Sequence, residues 1–331
     1  MSALVVAEAG VNHNGDLGLA EALISAAATA KADLIKFQTF VADRLVTRQT
    51  PLAAYQIVTG ESDHYEMIRR LELSRTDHEH LISCCREAGI GFFSTAFDIE
   101  SADLLVELGQ RRFKIPSGEI DNLPLLRHLG SFGYEVILST GMADMSEIAA
   151  ALQALEIAGT SRDRVTVLHC TTEYPAPISE VNLRAMETIR QELDVAVGYS
   201  DHTEGLEVPV AAVALGASVI EKHLTLDRTL PGPDHRASLE PDEFALMVSM
   251  IRNVEIAMGN REKRPTPSER VNREVVRRSI VAGRALREGE LLDEAALAVK
   301  RPASGISPMH WDQIIGTRAR RPYAKDEPID L

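Results

Sequence analysis

Short apolar runs recur along the chain as far as His223, and helix-length segments separate them. The runs are nearly uninterrupted, as is typical of strands that are buried on both faces of a sheet. Eight such strands are predicted, at Leu4–Ala9, Leu34–Thr39, Gly91–Ala96, Phe113–Ser117, Val136–Thr140, Val165–Cys170, Val195–Ser200 and Val219–His223. Helical patterns lie between them, at Gly18–Ala30, Arg75–Gly89, Ser101–Leu108, Met145–Ala158 and Asn182–Leu193. Eight alternations in roughly 260 residues predict an α/β fold of the (β/α)8 TIM-barrel type. A doubly wound open sheet is the alternative, which the lack of an early GxGxxG turn disfavours.

Two segments depart from this alternation. The connection Val41–Ser74 is too long for an ordinary loop, and long loops at a barrel rim often cover the active site, although a surface excursion is the alternative. After residues 1–259, the charged and proline-containing segment 260–274 is predicted to be an extended linker. Residues 275–331 are rich in turns, and we expect a small C-terminal module.

Composition and charge exclude several classes of function. Lys and Arg total 35 against 49 Asp and Glu, a net charge of −14, so binding to nucleic acid or to an anionic membrane is not expected. The three cysteines show no paired spacing, which favours a reducing compartment. No signal peptide is recognised and no apolar run approaches ~18 residues, so we expect a cytoplasmic protein.

Two histidines follow neighbouring predicted strands. His202 and His223 are 21 residues apart with the helix-length segment Leu206–Ala217 between them, so both should lie at the same rim of the barrel. A structural role is the alternative for each alone, but together they could share a metal ion. Nitrogen and oxygen ligands without thiolates suit Mn²⁺, Mg²⁺, Co²⁺ or Zn²⁺, and open coordination positions would indicate a catalytic site. Five other histidines are predicted to lie at the surface, and His13 is ambiguous; the five are His64, His78, His80, His128 and His310.

Three charged residues lie inside apolar strands, where an unpaired charge is costly. Lys36, Lys114 and Glu221 could pair with one another structurally, for example Lys36 with Glu221. Alternatively, the lysines form an anion pocket with nearby hydroxyl and backbone N–H groups, which are donors that suit a phosphate. Those further groups belong to Thr95, Ser117, Ser139 and Gly141.

The motifs together resemble the sialic acid synthase family, whose members condense phosphoenolpyruvate with an N-acetylated amino sugar. The matching stretches, which span almost the whole chain in order, are Ala7–Gly15, Ile35–Phe40, Phe92–Asp98, Phe113–Ile120, Ile137–Met142, Leu168–Pro177, Val197–Gly205, Ile220–Asp227, Leu230–Pro241 and Lys300–Trp311. The resemblance implies a TIM barrel, a C-terminal antifreeze-like (SAF) domain and a domain-swapped homodimer.

The resemblance also implies roles for individual residues. His202 and His223 would hold a divalent metal, for which Mn²⁺ is the first expectation and Mg²⁺ or Co²⁺ are alternatives. Residues implied to surround phosphoenolpyruvate are Lys36, Thr95, Lys114, Ser117, Ser139 and Ser200, whereas Thr172 stands where some members have Asn. Residues implied to face the sugar are Glu8, Gln38, Tyr174, Glu221 and Asp234, with Arg301 reaching in from the other subunit. Glu221 is the candidate for proton transfer, and Glu8 is the second catalytic candidate.

The expected reaction joins phosphoenolpyruvate, N-acetylmannosamine and water to give N-acetylneuraminate and phosphate, with C–O cleavage of phosphoenolpyruvate. The alternative sugar is 2,4-diacetamido-2,4,6-trideoxymannose, which would give N,N'-diacetyllegionaminate. A metal-dependent aldolase on the same barrel is a further alternative, and it would have no use for a phosphate pocket. A non-enzymatic ice- or glycan-binding role is disfavoured because it gives no reason for charges inside the strands.

Overall fold

The computed structural model describes residues 2–51 and 63–330, and the chain divides into two compact units, Met1–Gly259 and Asn260–Leu331. In the first unit, eight parallel strands close into a barrel in sequence order. The strands are β1 (Leu4–Gly10), β2 (Leu34–Thr39), β3 (Gly91–Ala96), β4 (Arg112–Ile115), β5 (Glu135–Ser139), β6 (Val165–Cys170), β7 (Ala196–Asp201) and β8 (Val219–His223). The predicted (β/α)8 barrel is confirmed. Strand β4 ends before the predicted Ser117 because Pro116 has no N–H for the ladder.

Helices follow the strands and cover the barrel. They are α1 (Leu17–Thr29), α2 (Ala42–Leu45), α3 (His64–Arg70), α4 (Arg75–Ala88), α5 (Ile99–Glu107), α6 (Leu123–Ser131), α7 (Met145–Ala158), α8 (Ala185–Leu193), α9 (Glu207–Ala214) and α10 (Pro241–Met258). Several begin at a side-chain cap; at α4, Ser74 and Asp77 form a reciprocal capping box. Among the described residues, no helix combines the length and apolar character needed to cross a membrane.

The barrel interior is layered, because alternate residues of each strand point inward. The lower layer is apolar, and its buried members are Val6, Phe93, Ile137, Leu168 and Val219. Two residues further along the strands, the inward positions become polar, as at Glu8, Thr95 and Ser139. The other strand face packs on the helices as one large apolar core. The polar side chains of the interior therefore lie on the strands at the C-terminal end of the barrel.

The second unit contains a helix, α11 (Pro267–Val276), a two-stranded antiparallel sheet of β9 (Ser279–Ala282) and β10 (Leu297–Lys300), and a short helix, α12 (Trp311–Ile314). Its core is a separate apolar cluster that includes Ile280 and Ile314.

The prediction of an extended linker over 260–274 was wrong in its second half, where α11 begins. The Thr266 hydroxyl accepts from the Glu269 N–H at 3.3 Å, the Glu269 carboxylate accepts from the Thr266 N–H at 2.8 Å, and Pro267 occupies the first turn. This capping signal could be recognised in the sequence, as Thr266-Pro267-Ser268-Glu269.

Candidate active site at the C-terminal end of the barrel

Four buried charges form one network across the barrel. Lys36 Nζ lies 3.3 Å from Glu8 Oε2 and 2.9 Å from Glu221 Oε2, and Lys114 Nζ lies 2.9 Å from Glu221 Oε1. Gln38 donates to Glu8 Oε1 at 3.4 Å. The charged side chains are at most 6% exposed. The Lys36–Glu221 pairing considered from the sequence is thus present, and Lys114 shares the same carboxylate. Glu221 is the centre of the network.

The two carboxyl groups of the network, Glu8 and Glu221, have very different pKa values. Burial raises the pKa of Glu8 to about 7, against the lowering effect of Lys36. Burial would also raise the pKa of Glu221, but Lys114 and Lys36 outweigh it and hold that pKa well below its usual range. Two carboxyl groups with divergent pKa values in one cavity are the arrangement expected of an acid and a base. Near neutral pH, Glu8 can carry a proton while Glu221 stays ionised.

The two predicted metal ligands lie side by side. The ring centroids of His202 and His223 are 5.5 Å apart, and the Tyr174 ring lies 4.2 Å from that of His202. His202 Nδ1 donates to the Thr171 carbonyl at 2.6 Å, which leaves its Nε2 unprotonated. His223 Nδ1 has no hydrogen-bond partner among the described residues and lies 3.9 Å from Asp234 Oδ2.

These two rings suit a divalent metal. Burial lowers the pKa of His202 to about 4, and burial together with the neighbouring His202 lowers the pKa of His223 well below its usual value. Both imidazoles are therefore neutral, the form that binds metals. The backbone carbonyl that fixes the His202 tautomer is the usual outer partner of a metal-binding histidine. Two neutral imidazoles with the Asp234 carboxyl nearby suit a divalent metal ion.

Hydroxyl groups line the side of the cavity formed by the middle strands. Thr95 Oγ1 and Ser139 Oγ are buried and have no hydrogen-bond partner among the described residues. Ser117 Oγ accepts from the Gly141 N–H at 2.9 Å, and a Cβ at Gly141 would lie 2.1 Å from Thr172 Oγ1. Unpartnered buried hydroxyls require an explanation, and a ligand that accepts their hydrogen bonds provides one.

The predicted sugar-facing side chains converge around Gly10. A Cβ at this position would lie 3.3 Å from Glu8 Oε1, 3.4 Å from Asp234 Oδ2 and 3.4 Å from Gln38 Nε2. Gly10 also has φ +52°, so a side chain here would add backbone strain. Burial raises the pKa of Asp234 to about 6. Only glycine leaves this corner open for a ligand.

One cavity of about 310 Å³ is lined by all but one of the side chains predicted to form the site. The predicted residues that line it are Glu8, Lys36, Gln38, Thr95, Lys114, Ser117, Ser139, Tyr174, Ser200, His202, Glu221, His223 and Asp234. The exception, Arg301, is an exposed residue of the second unit. The structure therefore brings the barrel residues together, and their individual roles, like that of Arg301, stay predictions.

Sequence reasoning missed an apolar group in the same cavity. Val11, Met67, Ile68, Leu71 and Phe97 line it beside the charged network, and we call these five side chains the apolar wall. Three of them lie on or just after α3, in the connection whose role the sequence left open. Leu71 follows Ile68 by three residues and Met67 by four, which is a helical spacing and was the available signal.

The prediction for one histidine was wrong, and the structure resolves another that the sequence left open. His78 was predicted to lie at the surface, but it is fully buried, donates to the Ser74 carbonyl at 2.8 Å and accepts from Thr39 Oγ1 at 2.7 Å. Its place three residues before the buried Leu81 on α4 was the missed signal. The ambiguous His13 is fully buried as well.

A second group of possible ligand atoms lies outside the barrel. Glu21 on α1 and His80 and Cys84 on α4 place a carboxylate, an imidazole and a thiol within 4.8 Å of one another. Glu21 and His80 are exposed, and His80 Nε2 is 2.6 Å from Glu21 Oε1. Exposed groups of this kind are common without a metal, so the cluster adds nothing to the site in the barrel mouth.

Known protein families and individual relatives match almost the whole length of this chain. The NeuB family model matches residues 23–263, and the SAF domain model matches residues 277–331. The N,N'-diacetyllegionaminic acid synthase of Campylobacter jejuni is 48% identical over 98% of this chain and 98% of that protein. The protein of the same name from Legionella pneumophila is 46% identical over 96% of this chain and 90% of that protein. The human N-acetylneuraminate-9-phosphate synthase is 34% identical over 98% of this chain and 90% of that protein.

Solved structures agree with the sequence relatives. A crystal structure of the N-acetylneuraminic acid synthetase from Leptospira borgpetersenii in complex with citrate has a TM-score of 0.72 and 34% identity, over 82% of this chain and 90% of that chain. The resemblance stated from the motifs is confirmed. The chain belongs to the NeuB family and is an enzyme of this family of sugar-acid synthases, with a C-terminal SAF domain.

Proposed function

We propose that the protein condenses phosphoenolpyruvate with 2,4-diacetamido-2,4,6-trideoxymannose and water to give N,N'-diacetyllegionaminate and phosphate. The sequence alone favoured N-acetylmannosamine and kept this sugar as the alternative. Identity supports the alternative, because the relatives named for N,N'-diacetyllegionaminic acid are 48% and 46% identical, against 34% for the human relative named for N-acetylneuraminate 9-phosphate.

The main support for a reaction of phosphoenolpyruvate is the pair of buried lysines that lies beside unpartnered hydroxyl groups. Lys36 and Lys114 supply positive charge, and Thr95 and Ser139 supply donors without competing partners among the described residues. An incoming phosphate would share the lysines with Glu221, the carboxylate that they now balance. The same lysines would stabilise the negative charge that leaves with phosphate.

A divalent metal held by His202 and His223 would polarise the aldehyde of the open-chain sugar. We propose Mn²⁺, with Mg²⁺ or Co²⁺ as alternatives. Tyr174 packs on both histidine rings and limits how they can turn. Asp234, beside His223 and at the Gly10 corner, is placed to hold a sugar hydroxyl close to that aldehyde.

The two carboxyl groups can divide the proton transfers. Carbon 3 of phosphoenolpyruvate attacks the sugar aldehyde, and the new alkoxide takes a proton from Glu8, whose pKa of about 7 lets it carry one. Water then adds at carbon 2, and Glu221 takes its proton, since a phosphate that shares the lysines weakens the interaction that keeps the pKa of Glu221 low. The tetrahedral intermediate loses phosphate by C–O cleavage. Glu221 was the first candidate for proton transfer and Glu8 the second, and we assign the part of the acid to Glu8 because burial raises its pKa.

Assembly and location belong to the same proposal. We propose a domain-swapped homodimer in which Arg301 of one subunit binds the N-acyl group of the sugar in the other subunit's barrel. Its support is the resemblance, together with the exposure of Arg301 in a unit that matches an SAF domain. A cytoplasmic location is supported by the three cysteines, all of which are free.

Phosphate release tests the proposed function. Purified protein with Mn²⁺ and phosphoenolpyruvate should release phosphate only when an N-acyl sugar is added, with the highest kcat/KM for 2,4-diacetamido-2,4,6-trideoxymannose. Mass spectrometry should identify a nine-carbon acid as the product. Metal-replete enzyme that releases no phosphate with any such sugar would contradict the proposal. Cleavage of the nine-carbon acid to pyruvate without phosphate chemistry would support the aldolase instead.

A further inference from the structure

The cavity at the barrel mouth has two sides of opposite polarity. One side has donors from Lys114, Ser139 and Ser200 on β4, β5 and β7, and the segments after β1, β2 and β3 contribute the apolar wall on the other. Lys36 on β2 and Thr95 on β3 add further donors, at the strand ends that these segments follow. A ligand that spans the cavity therefore has hydrogen-bond donors on one side and hydrocarbon on the other. Since phosphoenolpyruvate needs the donors, the sugar must lie towards the wall.

The apolar wall is a packed surface. Val11, Met67 and Leu71 are 5%, 2% and 6% exposed, and they form a small cluster of their own with Phe40. Helix α3 places Met67 on one face with Ile68 and Leu71 beside it. The helix is fixed at its start, where Asp63 accepts from the Glu66 N–H at 3.1 Å.

A side pocket lies next to the wall. Met67, Leu71 and Pro233 line both the main cavity and a second cavity of about 200 Å³. Asn14 lies in this side pocket and is held in place by a 2.8 Å hydrogen bond from its Nδ2 to the Pro231 carbonyl. The wall therefore borders a second space besides the main cavity.

We propose that the apolar wall selects the sugar by the end remote from its aldehyde, with Met67 and Ile68 contacting the methyl group at carbon 6. This inference rests on the proposed function, which places the aldehyde at His202 and His223 and so directs the far carbons away from them. A methyl group loses water contact at the wall at no polar cost. The hydroxymethyl group of N-acetylmannosamine would place a hydroxyl against hydrocarbon, where it loses hydrogen bonds to water.

The expected selectivity is bounded by the chemistry of apolar pockets. Such a pocket discriminates by roughly 10–200-fold for one methylene and rejects an added hydroxyl by about 100-fold. We therefore expect the wild-type kcat/KM to be about 100-fold higher for a 6-deoxy sugar than for its 6-hydroxy counterpart. The matched pair is 2-acetamido-2,6-dideoxymannose and N-acetylmannosamine, which differ only at carbon 6. The 2,4-diacetamido sugar measures the further effect of the substituent at carbon 4.

Polar replacements in the wall test the assignment. Met67→Gln keeps the length of the side chain, and Ile68→Thr alters a half-buried residue with less risk to folding. Met142→Gln is the control, because Met142 is 75% exposed and lines the same cavity on its β5 side. Phosphate release at saturating phosphoenolpyruvate and Mn²⁺ gives kcat/KM for each sugar, and thermal unfolding verifies the fold.

Each outcome decides the inference. The preference at carbon 6 should fall at least tenfold in both wall variants, stay within twofold in the control, and leave the KM for phosphoenolpyruvate unchanged. A wild-type enzyme that treats the matched pair equally would overturn the inference, as would folded wall variants that keep the preference or a control that loses it. If Met67→Gln does not fold, Ile68→Thr decides. Phosphate release with none of the sugars would instead refute the proposed function, and the inference with it.

Discussion

A buried ion pair on the outer face of the barrel strands holds the turn that carries His202. Breaking this ion pair should lower both the stability of the protein and its affinity for a metal. Lys222 is fully buried on the outer face of β8, and its Nζ lies 2.5 Å from Asp201 Oδ2. The same ammonium donates to the carbonyls of Thr203 and Gly205. Residues 201–205 are therefore tied to one cation, with His202 among them.

We expect Lys222→Met to destabilise the protein by about 3 kcal/mol. Breaking a buried pair costs about 3–5 kcal/mol, because one charge is left without its partner. The lower end applies because Asp201 would keep the Thr203 N–H at 3.1 Å and the Thr203 hydroxyl at 2.9 Å. Since the freed turn holds a proposed metal ligand, Mn²⁺ affinity should also fall about 10–100-fold.

Two measurements on the metal-free protein check this prediction. Urea unfolding gives the change in the free energy of unfolding, and titration calorimetry gives the Mn²⁺ affinity. Lys31→Met is the matched control, because Lys31 is exposed, and it should change neither quantity. Adding Asp201→Asn to Lys222→Met should recover part of the lost stability. An unfolding free energy within about 1 kcal/mol of wild type and an unchanged Mn²⁺ affinity would refute the reasoning.

The remaining predictions concern the site itself. His223→Ala should abolish Mn²⁺ binding and nearly all turnover with an unchanged circular dichroism spectrum; full turnover with unchanged metal content would contradict the ligand assignment. Ser139→Ala should raise the KM for phosphoenolpyruvate about tenfold, since one hydrogen bond to a charged group contributes about 1.5–3 kcal/mol, while the sugar KM should hardly change. The pKa of Glu8 is raised from 4.5 to about 7, so the native state binds more protons than the unfolded state between these values and stability falls as pH rises through them. Relative to wild type, Glu8→Gln should therefore gain about 3 kcal/mol from pH 4 to pH 8 in urea unfolding, and parallel pH profiles would refute the shift. Arg301→Ala should mainly impair use of the sugar, and mixing it with His223→Ala subunits should restore part of the activity; verified heterodimers without recovery would refute the swap.

Most of the barrel and its polar residues could be predicted from local sequence patterns. Strand runs such as Val165–Cys170 have the bounds seen in the structure, because buried parallel strands are apolar throughout. The period of two correctly placed Glu221 and His223 on the inner face of β8. The partner of Lys222 could not be predicted, because its ion pair to Asp201 depends on the register between β7 and β8. Tertiary contacts, rather than propensity, decide such pairs.

The apolar wall was missed for a different physical reason. Helix α3 has seven residues, too few for its spacing to stand out in a long connection, and its apolar residues face a ligand cavity rather than the main core. Sequence patterns assign an apolar residue in a loop either to the core or to no role, whereas the apolar residues of this connection line a cavity. Helix α11 was missed because the composition of the segment outweighed its capping signal. Short helices are poorly specified by local pattern.

The layering of the barrel explains how the enzyme tolerates its charged network. The apolar lower layer and the core around the strands supply stability without any of the site residues. Within the upper layer, desolvation lowers the pKa of Lys114 despite the attraction of Glu221, whereas at Lys36 the attraction of Glu221 and Glu8 outweighs desolvation and raises the pKa. Charges that are buried at a net cost persist where a function requires them. Lys114 is therefore better understood as a group held ready for an anionic ligand than as half of a structural pair, and the unpartnered hydroxyls beside it support the same interpretation.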